Sequence, residues 1–375
     1  MFSTISHFWD RIQGSLFPEL EEQLGPLTKK LQQVVAVLEV CKIEHFLPRI
    51  GGGVGRPKSS RAALARAFVA KAVLNTPTNR ALIDRIQMDS SLRRICGWET
   101  RHEIPKESTF SRAFSEFSES ELPRRVHDAL VSELFSDQIV LHVSRDSTAI
   151  EAREKPLRKE KKPKKPKKRG RPKKGEERPK VPKRLDRQLT MTQEERLADL
   201  PKACDKGAKA DSKRNMRYWS GYKLHIDTAD GDIPLSGILT SASVHDSQVA
   251  IPLAEETATK VTSLYDLMDS AYDSPKIAAH SKSLGHVPII DKNKGQNLRT
   301  KPELEAEAQA LRTLNMEAPH RVRYKQRSSA ERVNSRLKDD YGGRMVRVRG
   351  YAKVACHLMF GILALTADAI LNLVR

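Results

Sequence analysis

The chain has 375 residues, enough for two or three domains and a sizeable core, and its 38% hydrophobic content is ordinary. Its charge is not: 67 Lys+Arg against 47 Asp+Glu leave +20, a surplus that attracts polyanions, nucleic acid first and an anionic membrane surface second. Four scattered cysteines (Cys41, Cys96, Cys204, Cys356) include no C-x-x-C pair, which argues against a disulfide framework or a zinc site and for free thiols in a reducing compartment.

The start, Met1 to Ser6, lacks the basic region of a signal peptide, so a cytoplasmic location is expected. Residues 1–135 read as all-helical. Pro26–Phe46 has helical apolar spacing, Arg61–Leu74 is rich in Ala and Leu, and shorter helices follow at Arg80–Met88 and Ser91–Cys96. Phe110, Phe114 and Phe117 form one stripe at i, i+4, i+7. That leaves Ser111, Arg112 and Ser115 facing outward, toward DNA or toward solvent. Gly51–Ser60 (GGGVGRPKSS) lacks the adjacent Gly-Lys-Ser/Thr of a nucleotide loop and reads as a linker.

From Asp137 the texture changes. Gln138–Ser144 is a strand candidate ending beside Asp146, and Gly221–Thr228 with Ile233–Ser241 forms a hairpin through Ala229-Asp230-Gly231-Asp232. A helix at Ser247–Thr259 leads to a strand, Ser263–Met268, ending beside Asp269. A helix at Ser274–Leu284 and a short strand, His286–Ile290, follow. Helices at 302–314, 329–340 and 351–374 complete an α/β class: a mixed sheet flanked by helices on both faces. Val354–Val374 is apolar but contains His357, Asp368 and Asn372. An Asp inside a bilayer costs about 2.5–3.5 kcal/mol, so a helix buried against the sheet is expected, with no membrane partner.

A basic segment interrupts the sheet pattern. Residues 153–187 hold 19 Lys/Arg against 5 Asp/Glu, placing +14 of the +20 there. With six prolines from Pro156 to Pro182, the stretch at about 153–215 is expected to be a disordered insertion. Within it, Lys168-Arg169-Gly170-Arg171-Pro172-Lys173 resembles an AT-hook, whose Arg169 and Arg171 would enter a narrow minor groove. A merely adhesive solvated tail is the alternative, and both bind phosphate with strong salt dependence.

Three acids carry the chemistry. Asp146 and Asp269 follow strands, and Glu331 lies on a late helix; carboxylates at the ends of neighbouring strands converge at one sheet edge. Such hard oxygen ligands suit magnesium, with manganese as the alternative. Two ions about 3.5–4 Å apart stabilise the entering and departing oxygens of an in-line phosphoryl displacement. Asp266 and Asp273 compete with Asp269, and Ser328-Ser329-Ala330-Glu331 is also a capping-box pattern. Tyr324, Arg327, Glu331 and Lys338 fit Y-(2)-R-(3)-E-(6)-K. If helical throughout they share one stripe, whereas a helix starting near Ser328 guarantees this only for Glu331 and Lys338.

This signature, with Asp146-Ser147-Thr148 and Asp269-Ser270-Ala271-Tyr272-Asp273-Ser274, resembles the DDE transposases of bacterial insertion sequences, in the group related to insertion sequence four. Gly221–His225 (GYKLH) and Val244–Ser247 (VHDS) are similar to that family too. The run from Gly55-Arg56-Pro57 through Leu92–Gly97 to Ser108–Ser111 resembles the helical domain often fused to it. The likeness covers about 55–135, 138–155 and 218–370; the lysine-rich insertion departs from it. It implies a helical DNA-binding domain at 1–135 and an RNase H-like catalytic domain at 136–375. It also implies that Asp146, Asp269 and Glu331 bind the divalent ions and that Tyr324, Arg327 and Lys338 contact transposon-end DNA. Expected partners are double-stranded DNA, as terminal repeats and target, and a second copy in a DNA-bound homodimer near the nucleoid. The alternative is a catalytically inactive or domesticated DNA-binding protein of the same fold.

Overall fold

The computed structural model describes residues 10–48, 59–156, 182–210, 215–292 and 319–373, with a few helical positions between 305 and 313. The AT-hook-like segment with Arg169 and Arg171, and most of the helix expected at 302–314, lie outside the described residues.

Among the described residues seven α-helices precede the sheet: α1 (Phe17–Leu24), α2 (Lys29–Cys41), α3 (Arg61–Val73), α4 (Asn79–Met88), α5 (Ser90–Cys96), α6 (Glu107–Glu119) and α7 (Leu122–Leu134). Capping fixes several starts: Thr28, Ser60, Thr78 and Asp89 each accept a backbone N–H of the following turn. Phe110, Phe114 and Phe117 are buried, as their spacing predicts.

The sheet has six strands: β1 (Ile139–Glu151), β2 (Asp205–Ala210), β3 (Met216–Ala229), β4 (Ile233–Ser241), β5 (Thr262–Met268) and β6 (Val287–Ile290). Its order is β2-β3-β1-β5-β6, with β4 also on β3. β1, β3 and β4 pair antiparallel, whereas β5 joins β1, and β6 joins β5, in parallel. The expected β3–β4 hairpin forms, with Gly231 and Asp232 at positive φ in its turn. Helices α10 (Ala250–Ala258) and α11 (Pro275–Ser283) cover one face; the other carries α13 (Ser328–Asp339) and α14 (Tyr351–Asn372). Short helices α8 (Arg184–Gln188), α9 (Gln193–Asp199) and α12 (Pro319–Tyr324) complete the described elements.

Helix α14 is long and apolar enough to cross a membrane, but its apolar window is 94% buried inside the fold. It packs against α2, α3, α6, α7 and β4. Phe360 stacks on Phe114 and lies 5.7 Å from Phe68, centroid to centroid. One hydrophobic cluster thereby joins the N-terminal helices to sheet residues Ile150, Tyr222 and Leu224.

Three expectations need correction. β1 does not end before Asp146: pairing with β3 continues to Glu151 opposite Gly221, so the acid sits within the strand. The insertion does not extend to 215, because residues 182–210 fold into α8, α9 and β2. Leu200 seats against Ile238 and Leu253, and Leu185 against the Met268 and Ile277 cluster. The capping box at Ser328 is absent, because a 3-10 turn at Lys325–Arg327 carries the helix through from α12. The Ser328 hydroxyl instead donates to the Lys325 carbonyl.

Candidate active site

Strand register brings the first two acids together. Arg145 of β1 pairs with Met268, the last residue of β5, so Asp146 and Asp269 follow side by side on neighbouring strands. Asp269 caps a 3-10 turn, accepting the Ala271 N–H at 2.9 Å. Glu331 arrives from α13, which lies across β1 and β3.

All three meet at Arg327. Its Nη2 stands 3.7 Å from an Asp146 oxygen and 3.8 Å from an Asp269 oxygen, and its Nη1 donates to Glu331 Oε1. Three carboxylates far apart along the chain thus surround one guanidinium. Of the competitors, Asp266 is turned away into a buried pair with Ser281 and His286, and Asp273 lies against Lys292. Asp246 is held by Lys223 at 3.0 Å, with Ser147 also bonding to it.

Burial raises the Asp146 carboxyl, Arg327 and the Ser147 N–H pull it back down, and the net direction is upward. Burial also works against the Arg327 charge, but Asp146, Tyr324, Glu331 and Asp269 outweigh it and hold the guanidinium above its ordinary range. Half-buried Tyr324 is raised by burial, with Asp291, Asp269 and Glu331 adding to it, so the phenol stays protonated beside the acids. Lys338 is lowered by burial and then by the Arg344 and Lys209 charges.

Sequence reading missed two features. Asn334, one turn beyond Glu331, donates from Nδ2 to Asp146 Oδ2 at 3.0 Å; its i+3 spacing from Glu331 was the available signal. Beneath the site, Arg145 and Asp227 form a fully buried bidentate pair at 2.7 Å, joined by the Thr257 hydroxyl. Charged residues inside two strand patterns were its only trace.

Among the described residues no three carboxylate, imidazole or thiol groups close to ligating distance. The donor set still fits a hard cation: all three groups are carboxylates, and they surround a positive charge.

Four antiparallel strands, β1 to β4, followed by two parallel ones, with helices on both faces, define the RNase H-like class of α/β fold. Residues 141–367 match the family described as Transposase DDE domain, and residues 18–116 match Transposase domain (DUF772). The chain belongs to the DDE transposases, a family that acts on DNA and uses divalent metal ions. No curated protein and no solved structure matches it.

Proposed function

We propose that this transposase is catalytically active, with Asp146, Asp269 and Glu331 as the residues that hold a pair of magnesium or manganese ions. The observation that carries the reading is the convergence of these acids on Arg327. Bound divalent ions supply Lewis-acid charge to a phosphate oxygen and to an attacking water. The phosphodiester at the element's end is hydrolysed, and the freed 3′-hydroxyl then attacks a phosphorus in target DNA, forming a new 3′-O–P bond while the target strand's own 3′-oxygen leaves. Arg327 exchanges its carboxylates for a DNA phosphate, and Lys338 and Tyr324 seat the same strand. The Y-(2)-R-(3)-E-(6)-K spacing supports membership of the group related to insertion sequence four, in a homodimer that pairs two ends at the nucleoid.

The test is cleavage of duplexes carrying the element's terminal repeats, with Mg2+ or Mn2+, by wild type and by Asp146→Asn, Asp269→Asn and Glu331→Gln. We expect each variant to lose at least about 1,000-fold in rate, the scale of removing one electrostatic stabiliser from a phosphoryl-transfer site. Wild-type rates in any of them would reassign that residue. A wild type that binds ends without cutting them would favour the DNA-binding alternative.

A further inference from the structure

The lysine-rich insertion returns to the sheet through a strand, and that return builds a surface with no role in the fold's core. β1 ends opposite Gly221 and β4 ends opposite Tyr222, and past Ser220, whose carbonyl still accepts the Ala152 N–H, β3 pairs among the described residues with β2 alone. The result is a two-stranded ribbon of Asp205–Ala210 against Met216–Gly221. Next to the sheet its inner face is filled by the Trp219 ring, which lies over Gly207 and leaves no room for a Cβ, and the indole N–H donates to the Tyr222 carbonyl at 3.0 Å; farther out the same face carries exposed Lys209 and Arg217. Its outer face is open, with Tyr218 73% and Met216 51% exposed.

The charge on this ribbon is one-sided. Lys206, Lys209 and Arg217 have no carboxylate partner among the described residues, while its one acid, Asp205, accepts from the Ser243 N–H at 2.9 Å. Lys209 and Arg217 stand directly opposite each other. Like charges facing across two strands destabilise a sheet. A phosphate between them reverses the sign of that interaction. The ribbon also reaches the site: the Lys209 charge acts on both the Asp146 carboxyl and the Lys338 ammonium.

We propose that the β2–β3 ribbon is a duplex-DNA docking element that grips a backbone phosphate beside the scissile bond, with Lys209 and Arg217, which project from the same face as Trp219, sharing that phosphate. A groove of B-form DNA admits a two-stranded ribbon. The inference rests on the DNA-acting reading above and adds a contact surface to it.

Binding of the full-length protein to a duplex of arbitrary sequence, across a salt series, tests the proposal without requiring end cleavage. In Lys209→Gln/Arg217→Gln, we expect affinity to fall at least about tenfold and the log–log salt slope to drop by about 1 unit, for the one phosphate lost. Arg217→Gln alone should melt no lower than wild type without DNA and gain less from saturating DNA. Because the four native cysteines are buried, Arg217→Cys labelled with a photoactivatable crosslinker should attach to the duplex. On end DNA it should attach within a few base pairs of the cleaved phosphate. An unchanged slope, or no crosslink from position 217, overturns the ribbon. Wild-type end cleavage absent while these shifts persist would overturn the catalytic reading and leave the ribbon standing.

Discussion

Asn334 is a single side chain whose hydrogen bond to Asp146 spans 188 residues of sequence. Its amide oxygen is buried with no hydrogen-bond partner among the described residues, so the contact to Asp146 is its main polar one there. Outer-shell contacts to metal-ligating groups are worth roughly 10–100-fold in metal affinity. We expect Asn334→Ala to raise the Mn2+ concentration for half-maximal cleavage at least about tenfold, with rate recovering at high metal and the fold intact. A metal titration superimposable on wild type sets this role aside. His225 makes a different residue-scale prediction. Fully buried against the Thr240 hydroxyl, it is pushed down to about 4 by burial, which Asp246 only partly opposes. The unfolded chain therefore takes up its proton first, near pH 6.5, whereas the folded chain resists until about pH 4. The stability held by neutral His225 is complete above the unfolded value and is lost as pH falls through that window. Melting temperatures measured from pH 7 to 4 should decline more steeply in wild type than in His225→Gln; parallel curves would contradict the assignment.

At the scale of elements, Gly221 is where the ribbon leaves the sheet. It has φ +154, and a Cβ there would stand 2.2 Å from the Ile150 carbonyl oxygen and 2.7 Å from the Ala152 nitrogen. Gly221→Ala must displace backbone from backbone, and overpacking of that kind costs about 1–3 kcal/mol. We expect urea unfolding to show a loss of this size, together with weaker duplex binding as the ribbon shifts. A neutral substitution would mean that the junction yields freely. The β3–β4 hairpin was legible in the sequence because Asp-Gly between alternating runs demands one turn geometry. The acids were legible because hydrophobic runs stop beside Asp146 and Asp269. β2 was not: Asp205–Ala210 (DKGAKA) has no β-branched or aromatic residue, and it is a strand because β3 offers an edge to pair with. Nor was the absence of the capping box, since whether Ser328 caps a helix depends on the turn before it, which Arg327 anchors to the acids. Asn334 was hidden for the same reason, as its partner comes from another element.

For the whole molecule, α14 decides whether helical region and sheet are separable. Its Phe360 lies among Phe68 and Phe114 on the N-terminal side, while Ile362 and Leu363 share one continuous cluster with Leu224 and Leu239 of the sheet. Gln33 of α2 donates to Asp368 of α14 at 2.6 Å, and Arg336 of α13 donates to the other oxygen at 2.7 Å, so one carboxylate links all three helices. A boundary near residue 135 separates sequence patterns but does not separate cores. Removing residues 1–135 would strip one side of α14 of its cover, and among the described residues nothing else packs on that side. The intact protein is therefore expected to unfold in one cooperative step, with near-ultraviolet and far-ultraviolet circular dichroism tracing the same denaturant midpoint. Phe360→Ala should lower that shared midpoint by the equivalent of about 3–5 kcal/mol, the usual cost of emptying a buried aromatic site. Two separated transitions, or a stably folded 136–375 fragment, would show that the sheet holds α14 without help and that the helical region is an independent domain.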